Sequence, residues 1–191
     1  MKKRTLFLLT LPFLLFACNN EGKDSVEKAD SINEARHDTM NQAAMVPDEE
    51  SSSFLVKAAD AGMAEVELGQ MAQQKATNQK VKDFASMMVH DHSAANAEVK
   101  TLAAKRNITL PDSVSADNKQ KATALGKRTG KTFDRTFMET MEDDHEAAIN
   151  LFEKASGNVK DSEVKIFIDN TLPKLRLHLD SAKAVQKVIK K

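Results

Sequence analysis

Residues 133–152 read FDRTFMETMEDDHEAAINLF, and the fold turns on this stretch. Phe133, Phe137, Met141, His145, Ala148 and Phe152 follow one another at intervals of four or three. Such intervals return to one face of a helix with 3.6 residues per turn, whereas a strand would need strict alternation. Asp, Glu, Arg and Thr fill the positions between, so the opposite face is polar. The segment is an amphipathic helix over about 131–155, with a histidine in the middle of its apolar stripe.

Working outward, the same spacing recurs three times. Upstream, Phe54, Ala58, Ala61, Glu65, Leu68 and Ala72 define a helix over about 52–76. Val81, Phe84, Met88, His92, Ala95, Val99 and Leu102 define another over about 79–105. Downstream of a turn expected at Gly157-Asn158, Val164, Ile168, Thr171, Leu175, His178, Ala182, Val185 and Ile189 define a fourth, over about 162–189. Pro173 lies inside it and is expected to kink it, since its ring opposes the preceding turn and its nitrogen cannot donate. Asn107–Pro111 ends the second helix, and Ser115 to about Arg128 reads as a shorter connecting helix. Two hairpins of long helices joined by a longer crossover predict an all-α, antiparallel four-helix bundle over residues 51–191. Composition agrees: Trp and Tyr are absent, and only 6 Gly and 4 Pro interrupt a chain that is 41% hydrophobic. Straight side chains lose little rotamer freedom in helices.

Each long helix interrupts its own apolar stripe with one residue able to bind a metal: Glu65, His92, His145 and His178. A buried ionisable group without a partner costs several kcal/mol. Two readings meet that cost. The four are hydrogen-bonded core residues that fix the register of the helices, or they share a transition metal, imidazole suiting zinc, copper or iron. On the second reading Asp91 and Asp144, each preceding a histidine, would orient imidazoles from behind. Glu142 stands three residues before His145, the spacing used in di-iron bundles, but no second Glu-x-x-His accompanies it. Counting residues from the helix ends at ~1.5 Å each puts Glu65 and His92 within roughly 3 Å in height, and His145 and His178 roughly 9 Å apart. Glu65 and His92 are therefore the pair expected to meet, and one ion touching all four is not expected. Met63, Met71, Met87, Met88, Met138 and Met141 read as core filler, with copper capture by thioethers as the alternative.

The first residues have another character. Lys2-Lys3-Arg4 is a positive start, and Leu6 to Phe16 is an apolar run shorter than the ~20 residues that span a bilayer. Leu15-Phe16-Ala17-Cys18 follows, similar to the bacterial lipobox, and Cys18 is the chain's single cysteine. Residues 1–17 are read as a signal peptide and Cys18 as the thiol that accepts diacylglycerol, anchoring the chain to a membrane on the periplasmic or extracellular side. Segment 18–50 is expected to be a disordered acidic tether: residues 19–53 hold nine acidic against three basic residues and few large apolar ones.

The whole chain has 28 basic and 28 acidic residues. The nearest approach to a basic patch (Lys119, Lys121, Lys127, Arg128 and Lys131) has no interleaved aromatics, which argues against a nucleic-acid partner. No nucleophile arrangement, phosphate loop or dinucleotide motif is present.

The order of motifs from Phe54 onward resembles a bacterial family, domain of unknown function 4142. Ala64-Glu65-Val66-Glu67-Leu68-Gly69 carries that resemblance, with Val81-Lys82-Asp83-Phe84-Ala85 and Met88-Val89-His90-Asp91-His92. Leu110-Pro111, Phe133-Asp134, Asp144-His145-Glu146 and Leu172-Pro173 with His178 complete it. The resemblance covers roughly residues 54–185. It implies an exported, ferritin-like helical bundle and no particular activity, since a fold does not confer chemistry. Two functions follow as expectations: a non-enzymatic envelope lipoprotein whose bundle binds a protein partner or supports the envelope under stress, or a metal-binding or metal-dependent redox bundle built on Glu65, His92 and His145.

Overall fold

The computed structural model describes residues 24–40 and 48–190. The expected signal peptide and Cys18 lie outside the described residues. Among those described, every regular element is a helix: α1 (Ser25–Met40), α2 (Glu49–Lys75), α3 (Gln79–Lys105), α4 (Ala116–Gly126), α5 (Gly130–Asn158) and α6 (Ser162–Ile189). The described residues are thus all-α with six helices, one more than expected, and four of them are 27 to 29 residues long. None is long and apolar enough to cross a membrane.

α2 pairs with α3 and α5 with α6; the two hairpins meet through α2 against α5 and α3 against α6. α4 lies across α2 and α5. Helix starts are set by side chains that take up otherwise unpaired backbone donors. Asp48 accepts from Ser51 N, Asn78 from Lys80 N, Ser115 from Asn118 N, and Asp161 from Glu163 N and Val164 N. Asp161 also receives the Arg106 guanidinium, whose Nε lies 2.7 Å from Oδ2, which ties the end of α3 to the α5–α6 turn. At the other end, buried Asp134 of α5 accepts from Thr77 N (2.9 Å), Thr77 Oγ1 (2.6 Å) and Asn78 N (2.9 Å), fastening the α2–α3 turn. α6 runs on through Pro173 as one helix. α5 continues past Gly157 to Asn158, so the α5–α6 turn is residues 159–161, later than the sequence suggested.

The tether is corrected over residues 25–40, which form a helix docked on α2 and on the loop after α3. Asp24 caps α1 by accepting from Val26 N and Glu27 N, and Glu27 reaches back to Asp24 N. Ala29 is 2% exposed. Asn33 Nδ2 donates to Thr109 O (2.9 Å) while Thr109 N donates to Asn33 Oδ1 (2.8 Å). Arg36 donates to Asn107 O and Thr109 Oγ1, both at 2.8 Å. The segment folds because it supplies polar partners to a loop backbone, so a count of its apolar side chains could not reveal it.

The core falls into two apolar clusters. One surrounds Phe54, Phe152 and Phe167; the other surrounds Phe84, Phe133, Phe137 and Met138. Glu65, His92, His145 and His178 belong to neither, and His145 and His178 meet between them.

Candidate metal centre

His92, His145 and His178 come from α3, α5 and α6 and are 8%, 1% and 3% exposed. Their ring centroids form a nearly equilateral triangle: 5.5 Å from His92 to His145, 5.4 Å from His92 to His178 and 5.4 Å from His145 to His178. One nitrogen from each lies within 4.8 Å of the others. The depth count is therefore corrected: His178 meets His145. α5 extends three residues beyond the expected end near 155, which brings the two histidines to similar distances from their common turn.

Outer hydrogen bonds fix the tautomers of His145 and His178. His145 Nδ1 faces Met141 O at 2.7 Å, and since a carbonyl only accepts, Nδ1 carries the proton. His178 Nε2 likewise donates to Asp91 Oδ2 at 2.8 Å. The nitrogens left over, His145 Nε2 and His178 Nδ1, face each other at 3.4 Å, and in the neutral rings neither has a hydrogen to give. His92 Nε2 is buried and has no hydrogen-bond partner. The facing nitrogens of His145 and His178 thus have no donor between them, in a triangle completed by His92.

Burial keeps the rings neutral. It pushes His92 down to about 3, helped by the neighbouring charges of His145 and His178. His145 is pushed down to about 4 by burial, against the opposing pull of its bond to Met141. Burial also lowers His178, outweighing the hydrogen bond and charge of Asp91. Burial raises the Asp91 carboxyl, but hydrogen bonds from His90 and His178 outweigh it, and the group ends below its ordinary value.

The other predicted residues take different places. Glu65 is 5% exposed, and its Oε1 lies 3.7 Å from His145 Nδ1, the protonated side of that ring. Burial, with the charge of Asp144, raises the Glu65 carboxyl well above the ordinary range, so this is a contact between two neutral groups rather than an ion pair. The expected meeting of Glu65 with His92 is replaced by Glu65 against His145. Asp91 supports His178 rather than His92, its neighbour in sequence. Asp144 pairs with Lys121 of α4. Glu142 lies 3.8 Å from Lys183, so the Glu-x-x-His spacing brings no carboxylate to the histidines. Met141 contributes its carbonyl, a role no side-chain pattern signals.

This is a helical bundle enclosing a triangle of neutral imidazoles, a donor set that suits transition metals. A family model described as "Domain of unknown function (DUF4142)" matches residues 35–185, and the chain belongs to that family. Among solved structures it is similar to "CopM in the Cu(I)-bound form" (20% identity, TM-score 0.62), over 72% of this chain and 95% of that one. "CopM in the Ag-bound form (by co-crystallization)" is similar at 20% identity and TM-score 0.60, over 72% and 95%. A DUF305 fragment from Deinococcus radiodurans is similar at 10% identity and TM-score 0.67, over 74% of this chain and 98% of that one. These likenesses show the helical fold. No curated protein matches the chain.

Proposed function

We propose that this chain is a metal-binding protein that holds one ion on His92, His145 and His178, and that Cys18 anchors it by lipid to the outer side of a membrane. The observation that carries the metal reading is that the facing nitrogens of His145 and His178 have no proton between them, in a triangle completed by His92, whose buried Nε2 is unpartnered. A pair held for structure alone would place a donor against an acceptor. At metal–imidazole distances of ~2.0 Å, ligand nitrogens lie about 3.3–3.5 Å apart, and His145 Nε2 and His178 Nδ1 lie 3.4 Å apart. Asp91 behind His178 completes a carboxylate–histidine arrangement of the kind that steadies a ligand and raises its basicity.

The donor set favours copper. It brings no thiolate and no carboxylate into contact with the ion, so charge neutralisation rests on the ionised Asp91 behind His178, which matches Cu(I) better than a dication. The Cu(I)-, Cu(II)- and silver-bound forms of CopM, similar in fold, support copper over zinc or iron. On this reading the protein binds and retains metal at the cell envelope and turns over no substrate.

The test is titration of metal-free mature protein with Cu(I) under reductant, and with Zn(II) in parallel, followed by elemental analysis. One equivalent of Cu(I) is expected, with much weaker Zn(II) uptake and loss of both in His145→Ala. Wild type that takes up neither ion overturns the proposal.

A further inference from the structure

A cavity of about 230 Å³ adjoins the histidines on the side of the Phe54, Phe152 and Phe167 cluster. Small residues hold it open: Ala58, Ala61 and Gly62 on α2, Ala95 on α3, Ala147 and Ala148 on α5. The pocket is partly open at the surface, and larger side chains at these positions would fill it. At Gly62 a Cβ would meet Asn96 Oδ1 at 2.0 Å, so the Asn96 amide would have to move aside. An engineered apolar cavity of ~150 Å³ accepts benzene, so this one accommodates a ring with a substituent.

Two residues of the lining carry an unmatched polar atom: His92, assigned above to the metal, and Glu65. Glu65 lines the cavity, is 5% exposed, and its Oε2 has no hydrogen-bond partner. In either protonation state that oxygen is a hydrogen-bonding group without a counterpart, which buried polar atoms rarely are. Near α4 the lining includes Lys121 and Asp144, which pair with each other and leave no net charge to select an ion.

We propose that this cavity is a binding site for a small neutral amphiphile, a single ring or its aliphatic equivalent bearing one hydroxyl, with the hydroxyl paired to Glu65 and the body against the Ala and Phe walls. The site does not depend on the metal reading, and its occupant needs no ion in place.

The experiment titrates metal-free, chelator-treated protein with phenol and, separately, with benzene, following the alanine methyl signals by NMR. Saturable binding of one phenol is expected, with shifts centred on Ala58, Ala61, Ala95 and Ala148. Phenol should bind roughly three- to tenfold more tightly than benzene, the margin of one hydrogen bond, and Glu65→Leu should abolish that preference. Ala148→Leu should fill the space and remove binding while leaving Cu(I) uptake unchanged; Ala61→Leu fills it from the opposite wall if that variant does not fold. No saturable shift in wild type up to the solubility limit would mean a cavity holding only water, and overturns the proposal. So would equal phenol binding in wild type and the filled variants, or a phenol preference that survives Glu65→Leu.

Discussion

The neutral imidazoles make stability depend on pH in a calculable way. His92 is pushed down to about 3 and His145 to about 4, from an unfolded value of about 6.5. Both groups therefore contribute stability that is present above about pH 6.5 and is lost as pH falls toward the folded values. In that window the unfolded chain takes up protons that the folded site refuses. At about pH 5 the loss is roughly 2 kcal/mol for each histidine, or roughly 4 for the two. That is a large share of the 5–15 kcal/mol that holds a domain together. Glu65 works in the opposite sense, because its raised carboxyl stays protonated in the fold while the unfolded chain ionises, so it withdraws stability as pH rises. Asp144, also raised by burial, shares that sign. The clean comparison is Glu65→Gln against Glu65→Gln with His92→Gln, by urea unfolding with chelator at about pH 7.5 and about pH 5. Asp144 then acts equally in both proteins. The variant retaining His92 should lose about 2 kcal/mol more on acidification. Parallel losses in the two proteins would refute the reasoning, since His92 would then be neither desolvated nor neutral in the fold.

Asp91→Asn should leave the helices intact but weaken Cu(I) binding about 10–100-fold, measured by competition with a calibrated chelator, because His178 loses its carboxylate support. Asp134→Ala should lower urea-unfolding stability by about 2–3 kcal/mol, since Thr77 N, Thr77 Oγ1 and Asn78 N lose their acceptor. Asn33→Ala should lower the melting temperature by about 2–6 °C through its reciprocal pair with Thr109; an unchanged melt would mean that α1 does not dock in solution. Cys18→Ala should release the protein from membranes into the soluble fraction, and membrane association that survives a salt wash would count against the lipid anchor.

The bundle was legible because its helices are long and strongly periodic. Phe133, Phe137, Met141 and Phe152 are buried, and so are Phe54, Leu68, Phe84, Met88, Ile168 and Leu175 on the other three. Ala61, Ala95, Ala148 and Thr171 are only partly covered and line the cavity, and Val185 and Ile189 are partly covered near the end of α6. The face of each helix was readable from spacing alone. Height along the bundle was not, because it depends on where a turn falls, and Gly157-Asn158 looked like a turn while belonging to α5. An error of three residues is roughly 4.5 Å, half of the separation that the count gave between His178 and His145.

The partners of the site follow a rule that was available in the sequence. Successive residues on a helix point about 100° apart, so a residue next to a ligand cannot turn back to support it. It faces the adjoining helix instead. Asp91 therefore serves His178 of α6 rather than His92 beside it, and Asp144 meets Lys121 of α4 rather than His145. The residue that does support His145 is Met141, one turn earlier on the same face, and it acts through its carbonyl. For a histidine on an inward stripe, the outer partner is to be sought four residues back on its own helix or on the flank of the next one. Applied to His92, that rule points to the Met88 carbonyl, yet the buried His92 Nε2 has no hydrogen-bond partner. A site arranged for structure would have partnered that nitrogen, and the omission, beside the facing lone pairs of His145 and His178, fits a position meant for a cation.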